Sequence, residues 1–191
     1  MFTTSATTPL PLRTVGVVTH SLTHSSPGYT LLSSHCDTYL LNNDGQVVHE
    51  WHSDRPVFCS YLFPSGNLLR DGSDTLINTS FRTGGASGYV EEVTWEGDRV
   101  WYYTHHTHHT HCTHEEEDVV GSMYQYLSHH DLEILPNGNV LLLVWEKKSE
   151  CVSVAAGRRP DLIPDREVWD NLVVEIKPDR ENGTAEVVWK W

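Results

Sequence analysis

Basic residues are scarce in this 191-residue chain: 13 Lys and Arg stand against 26 Asp and Glu, a formal charge of −13 with His neutral. A surface this acidic repels a phosphate backbone, so nucleic acid is not an expected partner. The 13 His complicate that balance, because imidazoles gain protons as pH falls toward about 6. Long apolar runs are missing as well. No stretch reaches the roughly 18 apolar residues of a membrane span. The segment from Met1 to Leu12 is rich in Thr, Ser and Pro and has no basic region followed by an apolar core, so no signal peptide is read there.

Cysteine is sparse and widely spaced. Cys36, Cys59, Cys112 and Cys151 form no C-x-x-C pair, which excludes the common structural zinc modules. Four Cys allow three disulfide pairings, and free thiols are an equal alternative. The chain also lacks a phosphate-cradling Gly-rich loop, a G-x-S-x-G elbow and an H-E-x-x-H pair. A nucleotide-dependent enzyme, a serine hydrolase of the elbow type and a zincin are therefore unsupported, and no cofactor is expected.

Aromatic residues are plentiful. Seven Trp and eight Tyr, against four Phe, favour strands. Their placement repeats. YLLNNDGQVVHEW, from Tyr39 to Trp51, reads as a hairpin turning at Asn43-Asp44-Gly45, where Gly takes a positive φ. YLFPSGNLLR, from Tyr61 to Arg70, reads as a second hairpin turning at Pro64-Ser65-Gly66-Asn67. The Trp-bearing type recurs from Val90 to Tyr103 and again from Leu172 to Trp191, with Trp101, Trp189 and Trp191 in the place of Trp51. The Pro-x-Gly-Asn type recurs from His130 to Val144.

One Trp hairpin plus one Pro-x-Gly-Asn hairpin gives a four-stranded unit, here counted from Tyr39 to Arg70. Such units describe β-propeller blades. The β-sandwich is the structural rival, but it does not require the same hairpin grammar three times. The expected fold is thus all-β: about two and a half to three four-stranded antiparallel blades, with a further strand near Gly28 to Leu32. Propellers close with about 4–8 blades. The expectation is therefore a partial sequence, with blades supplied by another chain as the alternative. Residues 1–27 are read as a flexible lead and 28–191 as the incomplete propeller domain. Two segments interrupt the repeats: a His-rich and acid-rich insertion over 104–118, and a Gly, Arg and Pro-rich connector loop over 155–170.

Ser128-His129-His130-Asp131 is the first candidate for chemistry. It lies at a strand start, where propellers place sites. Imidazole serves as metal ligand, general base or nucleophile. Strand alternation would let only one of the two His face a given pocket, and Asp131 either helps orient a ring or points away from its neighbour. The plainer alternative is a His pair that hydrogen-bonds a loop. The tract from Thr104 to His114 carries His105, His106, His108, His109, His111, Cys112 and His114. These are weak metal candidates, since a strict Thr triplet suggests compositional bias and loose, incidental binding. His35, Cys36 and Asp37 precede the first strand and could be the matching edge of an earlier blade. Arg158 could meet an anion.

The string HHDLEILPNGNVLLLVW, from His129 to Trp145, resembles the HHD-x-x-x-LPNGN signature of the arylsulfotransferase family. These enzymes work without a nucleotide sulfate donor. GYTLLSSHCDTYLLNNDGQVVHEW is similar to the family's opening blade, and Ala156-Gly157-Arg158 followed by VVEIKP…VVWKW looks like the segment that follows. The resemblance spans about Gly28 to Trp191 and implies a six-bladed propeller. Its implied activity moves a sulfuryl group from an aryl sulfate to a phenol through a sulfo-histidine, without a cofactor. It implies that His130 contacts the sulfate or acts as acid or base, with His129 and Asp131 in support and Arg158 on the substrate. The family's nucleophilic His matches no residue here, so the chain resembles an N-terminal half. The implied partners are a small aryl sulfate and a phenol. A non-catalytic propeller-type scaffold and a His-rich metal binder stand as rivals.

Overall fold

Turn chemistry divides the chain into strands, and long-range pairing groups the strands into three sheets. The structure, a computed structural model, describes residues 16–74, 81, 83–105 and 125–191. The first sheet holds β1 (Tyr29–Ser34), β2 (Asp37–Asn42) and β3 (Val47–His52) in that order. The second holds β4 (Val57–Leu62), β5 (Leu68–Ser73), β6 (Gly88–Val93) and β7 (Arg99–Tyr103). The third holds β8 (Tyr126–Ile134), β9 (Val140–Ser149), β10 (Glu167–Asp179) and β11 (Thr184–Lys190). Every pairing is antiparallel between successive strands. The class is all-β with little helix, and none of the three sheets closes on itself.

The hairpins lie where their turns place them, but the grouping differs from the one read in the sequence. The Trp51 hairpin and the Pro64-Gly66 hairpin are not one unit. The first ends a sheet and the second opens the next. The link between them folds back over the β1–β2 turn: Ser53 N donates to Cys36 O at 2.7 Å and Val57 N to His35 O at 2.7 Å. Each complete sheet therefore begins with a Pro-x-Gly-Asn hairpin and finishes with a Trp hairpin. The β10–β11 hairpin has its counterpart in β8–β9, bonded along ten residue pairs from Glu167↔Ser149 to Ile176↔Val140.

The connector is also shorter than the loop expected over 155–170. Glu150–Ala155 form α1, two 3-10 turns cover Pro160–Leu162 and Pro164–Arg166, and β10 has begun by Glu167. Pairing with the extended β9 recruits residues 167–170 despite their loop-like composition. In the lead read as flexible, residues 16–27 ride on the β2–β3 turn, with His20 Nδ1 3.3 Å from Asp44 and Asn43 Nδ2 donating to Ser26 O at 2.8 Å.

The sheets stack in series. Leu40 and Trp51 of the first pack on Leu68 and Val93 of the second. The opposite face of the second sheet, with Leu69, Val90 and Trp101, packs on Leu132, Leu142, Val144, Val174 and Ile176 of the third. Burying side chains of this size stabilises by about 1.5–3 kcal/mol each. Both faces of the middle sheet are covered, and β5 and β6 are buried along their whole length. The leading strands gather along one side, β1 against β4 and β4 against β8.

Candidate active site

The segment Ser128 to Asp131 lies in β8, and a bulge governs its geometry. β8 bonds β9 up to the pair Ser128↔Val144 and resumes at Leu132↔Leu142. Residues 129–131 thus stand opposite Leu143 alone. His130 adopts φ 61°, the left-handed region that non-glycine residues rarely enter. The freed backbone bonds the chain that leads into β6: Ser87 N donates to Ser128 O at 3.0 Å, and His130 N donates to Gly85 O at 2.8 Å. The Ser128 hydroxyl accepts from Gly88 N at 3.1 Å. The second and third sheets are therefore stitched together beside the two histidines.

The bulge overturns the expectation that the two imidazoles face apart. His129 Nδ1 and His130 Nδ1 lie 2.9 Å apart, so one of the rings carries the shared proton. His129 is buried, 5% exposed, while His130 reaches the surface. The His129 ring stacks on Trp145 at 4.1 Å, and Trp145 adjoins Phe81 and Trp169. Burial, and secondarily the neighbouring His130, depress the His129 pKa to about 4. The nearby Asn171 side chain only partly offsets this. His129 is thus a neutral prop at pH 7, and His130 is the ring presented outward. The His130 ring sits against Gly85, where a Cβ would collide with the imidazole.

Asp131 does not bond either imidazole, so of the two alternatives its side chain takes the one that points away from its neighbour. Its Oδ1 accepts from Tyr61 Oη at 2.9 Å and from Leu132 N at 2.8 Å. Burial works to raise its pKa, but the hydrogen bonds from Leu132 and Tyr61, with the Cys59 side chain nearby, outweigh it and hold the carboxylate below its usual range. Cys59 Sγ also donates to Asp71 Oδ1 at 3.0 Å, and Ser87 Oγ donates to Asp71 Oδ2 at 2.8 Å. Burial pushes the Asp71 carboxyl up, and burial with the nearby carboxylates pushes the Cys59 thiol up. A chain of polar groups from β4 and β5 therefore supports the β8 bulge from below. Sequence reasoning missed Tyr61, Asp71 and the Phe81–Trp145–Trp169 wall, because their partners are distant in sequence. Gly84-Gly85 is the one local signal that could have marked the close approach.

Arg158 is exposed and lines an open groove of about 290 Å³ with Pro164, Asp165, Glu167, Val168 and Trp169. Trp169 belongs both to this groove and to the wall behind His129, which makes the groove a neighbour of the site. Of the metal candidates, only His105 is described. Its Nδ1 is 2.6 Å from Tyr103 Oη, and its ring packs edge-on against Tyr126. His106, His108, His109, His111, Cys112 and His114 lie outside the described residues. Among the described residues no three His, Cys, Asp or Glu side chains gather as a metal site. Cys36 and Cys59 are free thiols, and Cys151 is exposed with its Sγ 3.0 Å from Ser149 Oγ. His35 and Cys36 form the β1–β2 turn and Asp37 bonds His52 at 2.7 Å, so this trio is not a second copy of the bulge.

No protein-family model matches the chain, and no curated protein matches it.

Proposed function

We propose that this chain is part of an arylsulfotransferase-like β-propeller enzyme that moves a sulfuryl group from an aryl sulfate to a phenol. In this reading the three stacked sheets are successive blades, and β1, β4 and β8 run along the ring's inner side. His130 binds the sulfonate or exchanges a proton with the phenolic oxygen. His129 holds it in place, and Arg158 meets the anion from the neighbouring groove. The observation that carries the reading is the bulged His130. A left-handed backbone, a neutral buried His129 and a bare Gly85 surface fix its imidazole at the rim beside an aromatic wall. Over-determined strain of this kind clusters at functional sites. Cationic or hydrogen-bonding groups held in place before the reaction suit a sulfonate whose charge shifts during transfer.

The test is binding of 4-nitrophenyl sulfate to the whole chain, by calorimetry and by the His ring resonances. His130→Ala is expected to weaken binding at least tenfold, and His129→Leu to weaken it less. Unchanged affinity in His130→Ala would overturn the assignment.

One observation favours a scaffold reading instead. His130 already uses Nδ1 on His129, and its ring rests on Gly85, as a purely structural stitch between two sheets would. A chain that loses stability in His130→Ala and binds no aryl sulfate would follow that reading.

A further inference from the structure

The proton shared by His129 and His130 has two places to sit, and each gives the outer ring a different chemistry. The contact joins Nδ1 to Nδ1 at 2.9 Å, so one ring donates and the other accepts. His129 is neutral at pH 7 and carries a single N–H. With that N–H on Nδ1, His130 accepts at its own Nδ1, and its outer Nε2 bears a proton. With it on Nε2, His129 accepts at Nδ1. An uncharged His130 then keeps its proton on the inner nitrogen and presents a bare lone pair at Nε2. The state of His130 Nε2 is therefore decided at His129 Nε2, on the far side of the buried ring.

His129 Nε2 is buried and has no hydrogen-bond partner among the described residues. A buried polar atom in that state calls for one. Asn171 is placed to serve it. Asn171 pairs with Trp145 in the β9–β10 register, and the His129 ring stacks on Trp145 at 4.1 Å. Residues paired across two strands share a face, so the amide stands beside the ring that covers its neighbour. The Asn171 side chain raises the proton affinity of His129, as a carbonyl oxygen facing an imidazole nitrogen does and an amide N–H does not. A lone pair on Nε2 would set acceptor against acceptor there, whereas an N–H would be accepted. The outer end of the pair agrees. His130 is exposed, and the Cβ that Gly85 lacks would meet His130 Nε2 before any other atom. The glycine thus keeps space clear at the one ring nitrogen that His129 does not use.

We infer that Asn171 is a positioning residue: its Oδ1 accepts from His129 Nε2–H, His129 Nδ1 accepts from His130 Nδ1–H, and His130 Nε2 is left as a bare base above Gly85. On the sulfuryl-transfer reading, on which the choice of substrate rests, this selects one of the two roles open to His130. A bare Nε2 takes the proton of the acceptor phenol. The O–H electron pair stays on the phenolic oxygen as it bonds to sulfur, and sulfur's bond to its leaving group breaks with the electrons going to that group. The His130 imidazolium so formed still donates Nδ1–H to His129. No second proton has to move, and the buried ring stays neutral.

Long-range proton–nitrogen NMR correlations of the imidazoles test this on the whole chain without substrate, because they separate protonated from bare ring nitrogens. At about pH 8, where imidazole is neutral, the native chain should show a protonated Nε2 and bare Nδ1 in His129. His130 should show the reverse. Asn171 is exposed, so Asn171→Leu should fold, and both rings should then exchange tautomers. Asn171→Asp keeps an acceptor and should keep the native pattern. A native chain with the opposite pattern overturns the inference, whether or not a variant folds. So does a native pattern that survives Asn171→Leu, which is what a merely structural Asn171 would give. Binding of 4-nitrophenyl sulfate is read on the same samples. The expected tautomers in a chain that binds none would uphold the proton placement and overturn the sulfuryl-transfer reading, so the two failures are distinguishable.

Discussion

Replacing Gly85 by Ala tests the construction of the His130 rim directly. Gly85 sits at φ 79°, and a Cβ there would strike the His130 imidazole. Holding an alanine in the left-handed region costs about 1–2 kcal/mol. Displacing the imidazole breaks the Nδ1–Nδ1 hydrogen bond, worth about 1 kcal/mol. The expected loss is therefore about 2–3 kcal/mol, or about 4–12 °C in Tm for a chain of this size. Gly84 is the internal control, because a Cβ there meets nothing within 4 Å. Gly84→Ala should change stability by no more than about 0.5 kcal/mol. The assay is urea unfolding of both variants, read beside the ring resonances of His129 and His130. Equal urea midpoints, or unmoved ring resonances in Gly85→Ala, would refute the contact and the bulge geometry that creates it.

Three further outcomes are expected. The unfolded His129 imidazole takes its proton near about 6.5, and the folded one resists until about 4. Stability should be full above about 6.5 and fall as pH drops toward about 4, by at most about 3 kcal/mol, and His129→Leu should lack that slope in a pH series of unfolding curves. Arg70→Met strands the buried Glu91 carboxylate, to which Arg70 donates at 2.7 and 2.9 Å, and should cost about 3–5 kcal/mol by urea unfolding; a cost under about 1 kcal/mol would mean that Arg99 alone satisfies Glu91. With iodoacetamide at pH 8, exposed Cys151 should be alkylated in the folded chain, while half-buried Cys59, which donates to Asp71 and has its thiol pKa pushed up, should resist; mass mapping reads the difference.

Strand positions were legible because the turn residues are local. Asn43-Asp44-Gly45 and the two Pro-x-Gly-Asn turns mark hairpins without reference to anything distant. The phase of the repeat was not legible. Each hairpin must choose between the hairpin before it and the one after it, and that choice depends on β5 pairing with β6 and β9 with β10 across long connections. No local residue signals those pairings. His129, His130 and Asp131 were likewise legible as chemistry, but the bulge was not. Reading Ser128 to Leu132 as regular strand sent the two rings to opposite faces. Hydrogen bonds from Ser87 N and to Gly85 O, some 40 residues upstream, pull β8 out of register with β9 and bring the rings together. Whether Asp131 orients its sequence neighbour or points away was open in the sequence, and Tyr61, 70 residues away in the chain, is what holds it.

The scarce cations explain why the stack has one register. Glu91 and Glu92 are adjacent in β6, so strand alternation sends them to opposite faces. Glu91 lies among the buried groups facing the first sheet and takes Arg70, which also donates to His52 O at 3.0 Å, and Arg99 at 2.8 Å. Glu92 faces the third sheet and takes Trp101 Nε1 at 2.6 Å and Arg180. Three of the chain's 13 basic side chains therefore serve one pair of neighbouring carboxylates. A one-residue slip of β6 would exchange the two faces and leave both carboxylates buried among the wrong partners. An unpaired buried charge costs several kcal/mol. In a chain with twice as many acids as bases, few other cations could rescue it. The apolar contacts drive the sheets together, and the cost of misplacing these two glutamates selects which contacts they make.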